Sequence, residues 1–373
     1  MSHSGRVLQF PSQGGTTSLS ARDAQRGARD FLSVAPAERS AEYRQRFLES
    51  PDIVLAICQI LTQQRDTAPA LVAAESADIY QWIAQPTCDL GLFDERDYFL
   101  GQTALLAGIA SRHLGLREEG FLWLDRAEAG FRHTMNPAPG LASVAYARLT
   151  LRFEMGRYQD VLELTPSLEG SFTKLGMHIE AVKCRLLIAS TLKMAGEHRK
   201  ALNLLSPVSE LPALKEDSAL RARVLAEVGD LQQLEGQFEL ALATFEKASS
   251  LLSGTEVSAA RANLKMYVGG IYKALNRVTE AIEAFRASQR DFAQLEMRPY
   301  VAYLHLVIAE ALLEIKRDRQ AEWEILAALP TIEEVQMVPE GLAAVALLRE
   351  SVRRQKTDFP ALQQVRELLQ AQK

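Results

Sequence analysis

The side chains with which proteins most often bind metals or attack substrates are widely separated in this sequence. Its 373 residues include six histidines and three cysteines. No histidine has another histidine or a cysteine three or four positions away, the spacing that would place two metal ligands on one face of a helix. The sequence therefore predicts no metal site.

Catalytic motifs of fixed spacing are also missing. The sequence contains no phosphate loop of the form Gly-x-x-x-x-Gly-Lys-Ser/Thr, no Gly-x-Gly-x-x-Gly and no Gly-x-Ser-x-Gly. His305 lies in the most apolar run and is predicted to be a packed, hydrogen-bonded histidine, and Cys184 a small core residue. We therefore predict that the chain is not an enzyme, has no catalytic residue and needs no cofactor.

Net charge and cysteine content indicate which ligands and which cellular compartment the chain is suited to. A formal net charge of −5 argues against a general nucleic-acid binder, because phosphate binding favours a basic surface. The three cysteines, Cys58, Cys88 and Cys184, are far apart and odd in number, which fits a reducing compartment. The most apolar run, Tyr300–Ile315, contains a histidine and a glutamate and indicates a buried helix rather than a bilayer span. We expect a cytoplasmic protein without a membrane partner.

The elements that would position any site come from an internal repeat. One glycine or turn-forming position returns every 40 or 41 residues, and a period held over six units is typical of a repeat architecture. These positions, which we call the anchors, are Gly115, Gly156, Gly196, Gly236, Asn276 and Lys316.

Small and bulky residues keep a fixed distance from each anchor. The residue five positions after the anchor and the residue seven positions before it are small in five of six units, as at Ala241 and Gly229. The residue nine positions after it is mostly bulky, as at Phe245. Two helices that cross closely need small residues where their backbones meet. Each unit is therefore predicted to be a helix, a turn with an anchor in the left-handed conformation, and a second helix.

This frame resembles the tetratricopeptide repeat. The unit around Gly236 carries the motif most completely, and the unit around Asn276 carries it in part. The matching residues of the first are Gly229, Gly236, Phe238, Ala241, Phe245 and Ala248. The resemblance covers roughly Asp97 to Pro330. Within the superfamily, the chain is similar to stand-alone bacterial members with long repeats. It implies an all-α fold, a right-handed α-solenoid of antiparallel helix pairs.

The ends of the chain depart from the frame. Residues 1–20 are rich in Gly, Ser, Thr and Gln and are predicted to be a disordered tail. Residues 21–95 are predicted to be N-terminal helices with a degenerate first repeat, with Pro86–Asp97 as a long connection. The solenoid is assigned to 96–330, and 331–373 to C-terminal capping helices, because terminal units must cover an open core.

The resemblance also suggests a binding surface. In tetratricopeptide arrays the first helix of each unit lines a concave groove that binds a peptide or a partner's helix. The register places a basic stripe with aromatic and polar neighbours in that groove. The predicted partner-binding residues are Lys183, Lys193, Arg223, Asp230, Asn263, Tyr267, Lys273 and Tyr303.

The function predicted from these features is a non-enzymatic adaptor or regulator that binds a protein or peptide. A basic groove favours a partner with an acidic segment or a free C-terminus. The alternatives are a peptide-sensing regulator, or one that sequesters a transcription factor or a protease. An opposing interpretation is that the lysines and arginines only solvate an exposed face.

Overall fold

The computed structural model of the chain describes residues 19–334 except 66, 89, 91–92, 216 and 253–257, together with residues 344, 346 and 347. This part contains sixteen α-helices and no β-strand, which confirms the predicted all-α fold of antiparallel helix pairs. The predictions for the N-terminal tail and for the capping helices fall mostly on residues outside it. None of its helices has both the length and the apolar composition required to cross a bilayer.

The helices follow one another with short connections. They are α1 (Ala21–Leu32), α2 (Ala41–Leu48), α3 (Pro51–Gln64), α4 (Pro69–Ile83), α5 (Phe93–His113), α6 (Arg117–Arg132), α7 (Ala138–Glu154), α8 (Tyr158–Lys174), α9 (His178–Met194), α10 (His198–Leu205), α11 (Ser218–Leu234), α12 (Phe238–Leu251), α13 (Ala259–Ala274), α14 (Val278–Gln294), α15 (Arg298–Glu314) and α16 (Asp318–Glu334).

The chain divides into two compact units, residues 1–191 and residues 192–373. In the first unit, helices that are neighbours in the chain pack against each other from α4 to α8. In the second unit the same is true from α10 to α16. The repeat frame runs through this division without a break, so no sequence signal marks it.

The anchors adopt the predicted left-handed conformation. All six have positive φ angles, from 58° at Lys316 to 78° at Gly196. Two of them, Asn276 and Lys316, are not glycine, so the turn geometry is set by the helices on either side rather than by residue type alone. Glu296, which follows α14, has the same conformation with φ of 56°.

The small and bulky positions of the frame meet as predicted. A Cβ atom on Gly229 would lie 2.8 Å from the ring of Phe245, and one on Gly269 would lie 2.6 Å from the ring of Phe285. Ala241 is fully buried at the same kind of crossing. Residues of this size are therefore what allow the first and second helices of a unit to approach closely.

One connection differs from the sequence-based predictions, and one second helix is unusually short. Helix α5 begins at Phe93, so the connection predicted over Pro86–Asp97 is shorter than expected. Carboxylates such as Glu95 suit the positive N-terminal end of a helix and favour this earlier start. Helix α10 ends at Leu205 and is followed by a 3-10 helix, Ser206–Glu210, that contains Pro207. Proline has no N–H to continue the α-helical hydrogen bonding and so favours an early end of α10, although Pro166 lies inside α8 without ending it.

Candidate functional site

The predicted binding residues of the second unit lie on its first helices. One is near the C-terminus of α9, and the others are on α11, α13 and α15. Together they occupy four positions of the repeat register, 13, 9, 6 and 3 residues before the anchor. We call this set the first-helix surface, and it consists of Lys193, Arg223, Asp230, Asn263, Tyr267, Lys273 and Tyr303.

Lys193 is held by two carboxylates of α11. Its Nζ lies 2.6 Å from Glu227 Oε1 and 2.8 Å from Asp230 Oδ2. Burial by itself would lower the pKa of Lys193, but the negative charges of Glu227 and Asp230 outweigh it and raise that pKa above its ordinary value. We call these three residues the first rung. The lysine is charged at neutral pH, and its charge is already compensated.

Tyr267 of α13 lies near the first rung. Its ring stacks on Phe245 of α12, with centroids 5.4 Å apart and an interplanar angle of 12°. Burial, and then the negative charge of Asp230, raises the pKa of Tyr267 above its ordinary value. The structure therefore brings together Lys193, Asp230 and Tyr267, three of the residues assigned to the groove.

Lys273 forms a second rung between α13 and α15. Its Nζ lies 2.6 Å from Glu310 Oε2 and 3.5 Å from Glu314 Oε1. Both carboxylates keep about half of their side-chain surface exposed. Each rung therefore combines one lysine with two carboxylates, which gives it a formal net charge of −1.

The N-terminal halves of the first helices carry the remaining members. Arg223 is exposed on α11 and has no ion pair among the described residues. Asn263 is half-buried on α13, and Tyr303 of α15 exposes 43% of its surface. This row, unlike the rungs, offers a cation and polar groups that are open to a partner.

Lys183 belongs to the first unit and is not part of this surface. Its Nζ lies 3.7 Å from Glu180 on the same helix, and its backbone carbonyl accepts a hydrogen bond of 3.4 Å from the hydroxyl of Tyr146. Lys183 therefore belongs with the contacts of α7 and α9 in residues 1–191.

The predicted basic stripe is less basic in the structure, because carboxylates pair with two of its lysines. Counting lysines along the register missed Glu227 and Glu314, which together with Asp230 and Glu310 compensate the lysines. A signal was available, because Asp230 and Glu310 each lie 37 positions after a lysine of the preceding first helix. In consecutive first helices this offset places the two side chains next to each other.

His305 and Cys184, the two residues weighed for chemistry, both lie in packed surroundings. His305 Nδ1 lies 2.6 Å from Glu324 Oε2, so the predicted hydrogen-bonded histidine is present. Cys184 is fully buried, and burial followed by the charge of Glu169 raises its pKa to about 12, which keeps it a thiol. In the part of the chain that the structure describes, no group of three or more His, Cys, Asp or Glu side chains could hold a metal.

Comparison with protein-family models and with curated proteins gives no match. Solved structures do match. The tetratricopeptide-repeat sensor protein PH0952 from Pyrococcus horikoshii, a signal transduction ATPase with numerous domains, aligns with a TM-score of 0.62 at 12% identity, over 93% of this chain and 52% of that one.

Two Rap structures align over nearly their whole lengths. A Rap protein complexed with competence and sporulation factor has a TM-score of 0.52 at 13% identity, over 94% of this chain and 100% of that one. The Rap conjugation gene regulator of plasmid pLS20, in complex with the Phr* peptide, has a TM-score of 0.52 at 14% identity, over 93% of this chain and 96% of that one. At these identities the likeness shows a shared tetratricopeptide-like fold.

Proposed function

We propose that the chain is a non-enzymatic adaptor or regulator, and that the first-helix surface of its second unit binds a peptide or an extended segment of another protein. The observation that carries this proposal is Arg223, an exposed arginine with no ion pair among the described residues. Tyr303, also exposed, occupies the same register position two repeats later. An uncompensated cation and an exposed aromatic ring are typical contributors to protein interfaces.

The uncompensated charge of Arg223 favours a partner with a carboxylate, in an acidic segment or at a free C-terminus, whereas each of the two rungs is formally negative. Arg223 would hold that carboxylate through charge-assisted hydrogen bonds, and Asn263 would supply a further donor. Lys193 and Lys273 would contribute less, because each is already compensated by two carboxylates. A net charge of −5 makes nucleic acid an unfavourable ligand.

Similarity to a regulator solved with a bound peptide supports a peptide as the partner. A chain of this kind would act in the cytoplasm, where its three buried cysteines stay reduced. The alternative within this proposal is a regulator that senses a signalling peptide, or that sequesters a transcription factor or a protease. A sensing role predicts that a short free peptide binds without any protein partner.

The experiment uses random linear peptides displayed on phage and selected on the immobilised full-length chain. The tightest peptide is then labelled, and its Kd is measured by fluorescence anisotropy. Arg223→Glu should weaken binding at least tenfold, which corresponds to about 1.4 kcal/mol. The matched control is Arg290→Glu, because Arg290 is exposed on the second helix α14 and has no ion pair in the described part of the chain.

Both substitutions should change the free energy of unfolding by less than about 0.5 kcal/mol, since both are on the surface. A selection that enriches no peptide, or a peptide that binds both variants like the wild type, would overturn the proposal. Lys193→Glu is a poorer test, because it would place three carboxylates together and lower stability as well.

A further inference from the structure

Gly270 of α13 is a glycine that the packing of the fold does not explain. It lies in the interior of a helix, where glycine is less favourable than alanine. Its neighbour Gly269 has a reason to be glycine, since a Cβ there would lie 2.6 Å from the ring of Phe285. A Cβ on Gly270 would meet only the side-chain nitrogen of Gln233, at an ordinary contact distance of 3.9 Å. The space above Gly270 is therefore open.

The register shows what this position faces. Gly270 lies six residues before its anchor, as do Asp230 on α11 and Glu310 on α15. Those two carboxylates each pair with a lysine 37 positions earlier, on the preceding first helix. For Gly270 the residue at that offset is Gln233. A rung is thus missing between α11 and α13, with the first rung on one side of the gap and the second rung on the other.

Gln233 is the second unusual feature of the gap. Its side chain is half-buried, and its carboxamide makes no hydrogen bond to another residue of the described part of the chain. A carboxamide can donate and accept at the same time, which matches the N–H and C=O of a peptide backbone. The hydroxyl of Tyr267, one turn before Gly270, is likewise without a hydrogen bond among the described residues.

We infer that the main chain of the bound peptide crosses the first-helix surface at Gly270, and that the Gln233 carboxamide hydrogen-bonds to one of its peptide groups. This inference deepens the proposed function and rests on it. Glycine is the residue that allows a ligand's backbone to approach a helix most closely. The two rungs on either side limit where the chain can cross, and Gln233 fixes one of its peptide groups. Recognition here is of backbone, so it tolerates many ligand sequences.

The test uses the phage-selected peptide and the variant Gly270→Leu. Because the space at Gly270 is open, leucine should leave the melting temperature unchanged or raise it, while it weakens binding at least tenfold. The matched control is Gly170→Leu, since Gly170 is exposed inside α8 and a Cβ there would meet nothing within 4 Å. This control should gain stability in the same way and bind the peptide like the wild type.

A second measurement addresses Gln233. The amide nitrogens of the selected peptide are methylated one at a time. One position should lose at least tenfold in affinity for the wild type, and the same methylation should lose much less on the Gln233→Leu variant. Equal losses on both proteins, at every position, would overturn the role of the carboxamide.

The outcomes separate the inference from the proposed function. Weaker binding by both Gly270→Leu and Arg223→Glu supports both. Unchanged binding by Gly270→Leu together with weaker binding by Arg223→Glu overturns the inference and leaves the proposed function standing. If no peptide is enriched, or if Arg223→Glu has no effect, the proposed function fails and the inference fails with it.

Discussion

Arg39 donates two hydrogen bonds to Glu75, from Nη1 to Oε2 at 2.7 Å and from Nη2 to Oε1 at 2.9 Å, with both side chains shielded from solvent. Nη1 also lies 2.9 Å from Asp78 Oδ2, and the guanidinium carbon lies 4.0 Å from the centroid of the Phe31 ring. Burial raises the pKa of Glu75 above its ordinary value, even though Arg39 opposes the shift. The pair joins the N-terminal helices to α4 in the first unit.

Removing one member of this pair should be costly. Arg39→Met would leave the Glu75 carboxylate buried without its partner, and the free energy of unfolding should fall by about 3–5 kcal/mol. The double variant Arg39→Met/Glu75→Leu should recover most of that loss, because the unpaired charge is gone. Urea unfolding of the three proteins measures the effect. A loss below about 1 kcal/mol in the single variant would contradict it.

Asp291 should make the stability of the second unit depend on pH. Its carboxylate is buried, with Oδ2 2.6 Å from Lys265 Nζ and 3.1 Å from Arg261 Nε. Burial alone would raise its pKa, but the two cations outweigh burial and hold that pKa below its ordinary value of 3.8. A lowered carboxyl pKa stabilises the fold above the unfolded-state value, and this stabilisation is lost as pH falls through the folded-state value.

Asp291→Asn should therefore lower the free energy of unfolding by roughly 1–3 kcal/mol at neutral pH, as for hydrogen bonds to charged groups. The difference from wild type should shrink as the pH falls below 3.8. Asp125→Asn, at a largely exposed side chain, is the control and should show a small difference at every pH. A constant gap between wild type and Asp291→Asn down to acid pH would refute this explanation.

The repeat frame predicted much of the fold and less of the site. The frame identified the anchors, including the lysine at 316, because turn position is set by the helix pairs on either side. It did not predict the Arg39 network, since that lies before the six regular repeats and no periodic signal marks it. It also missed Glu227 and Glu314. The register compares residues at one repeat position, whereas these ion pairs join residues at different repeat positions of neighbouring helices.

The crossing of α11 and α12 should not tolerate a larger residue at Ala241. This residue is fully buried, and leucine there would force the helices or the neighbouring side chains apart. Ala241→Leu should lower the free energy of unfolding by roughly 1–3 kcal/mol. Ala243→Leu, at an exposed position of the same helix, provides the comparison and should stay within about 0.5 kcal/mol of wild type. Equal midpoints in urea would mean that the assigned register is wrong.

The anchor at Lys316 is open to stabilisation. Its φ of 58° is costly for a residue with a Cβ atom, by roughly 1–2 kcal/mol. Lys316→Gly should therefore raise the free energy of unfolding by about 1 kcal/mol. Lys316→Ala removes the same charge but keeps the Cβ, so it should give no such gain. Thermal unfolding of the two variants separates backbone conformation from charge, and equal melting temperatures would show that conformation is not limiting.

The first and second rungs share one sequence separation, because Lys193 and Asp230 are 37 positions apart and Lys273 and Glu310 are spaced alike. Contacts of such short range need little loop closure and form quickly. On a ribosome, the first rung can close once α11 has left the exit tunnel, before α13 and α15 have been synthesised. A nascent chain halted after α13 would contain all three residues of the first rung, whereas Lys273 would lack Glu310 and Glu314, which belong to α15. Folding of the second unit can therefore follow the direction of translation, helix pair by helix pair.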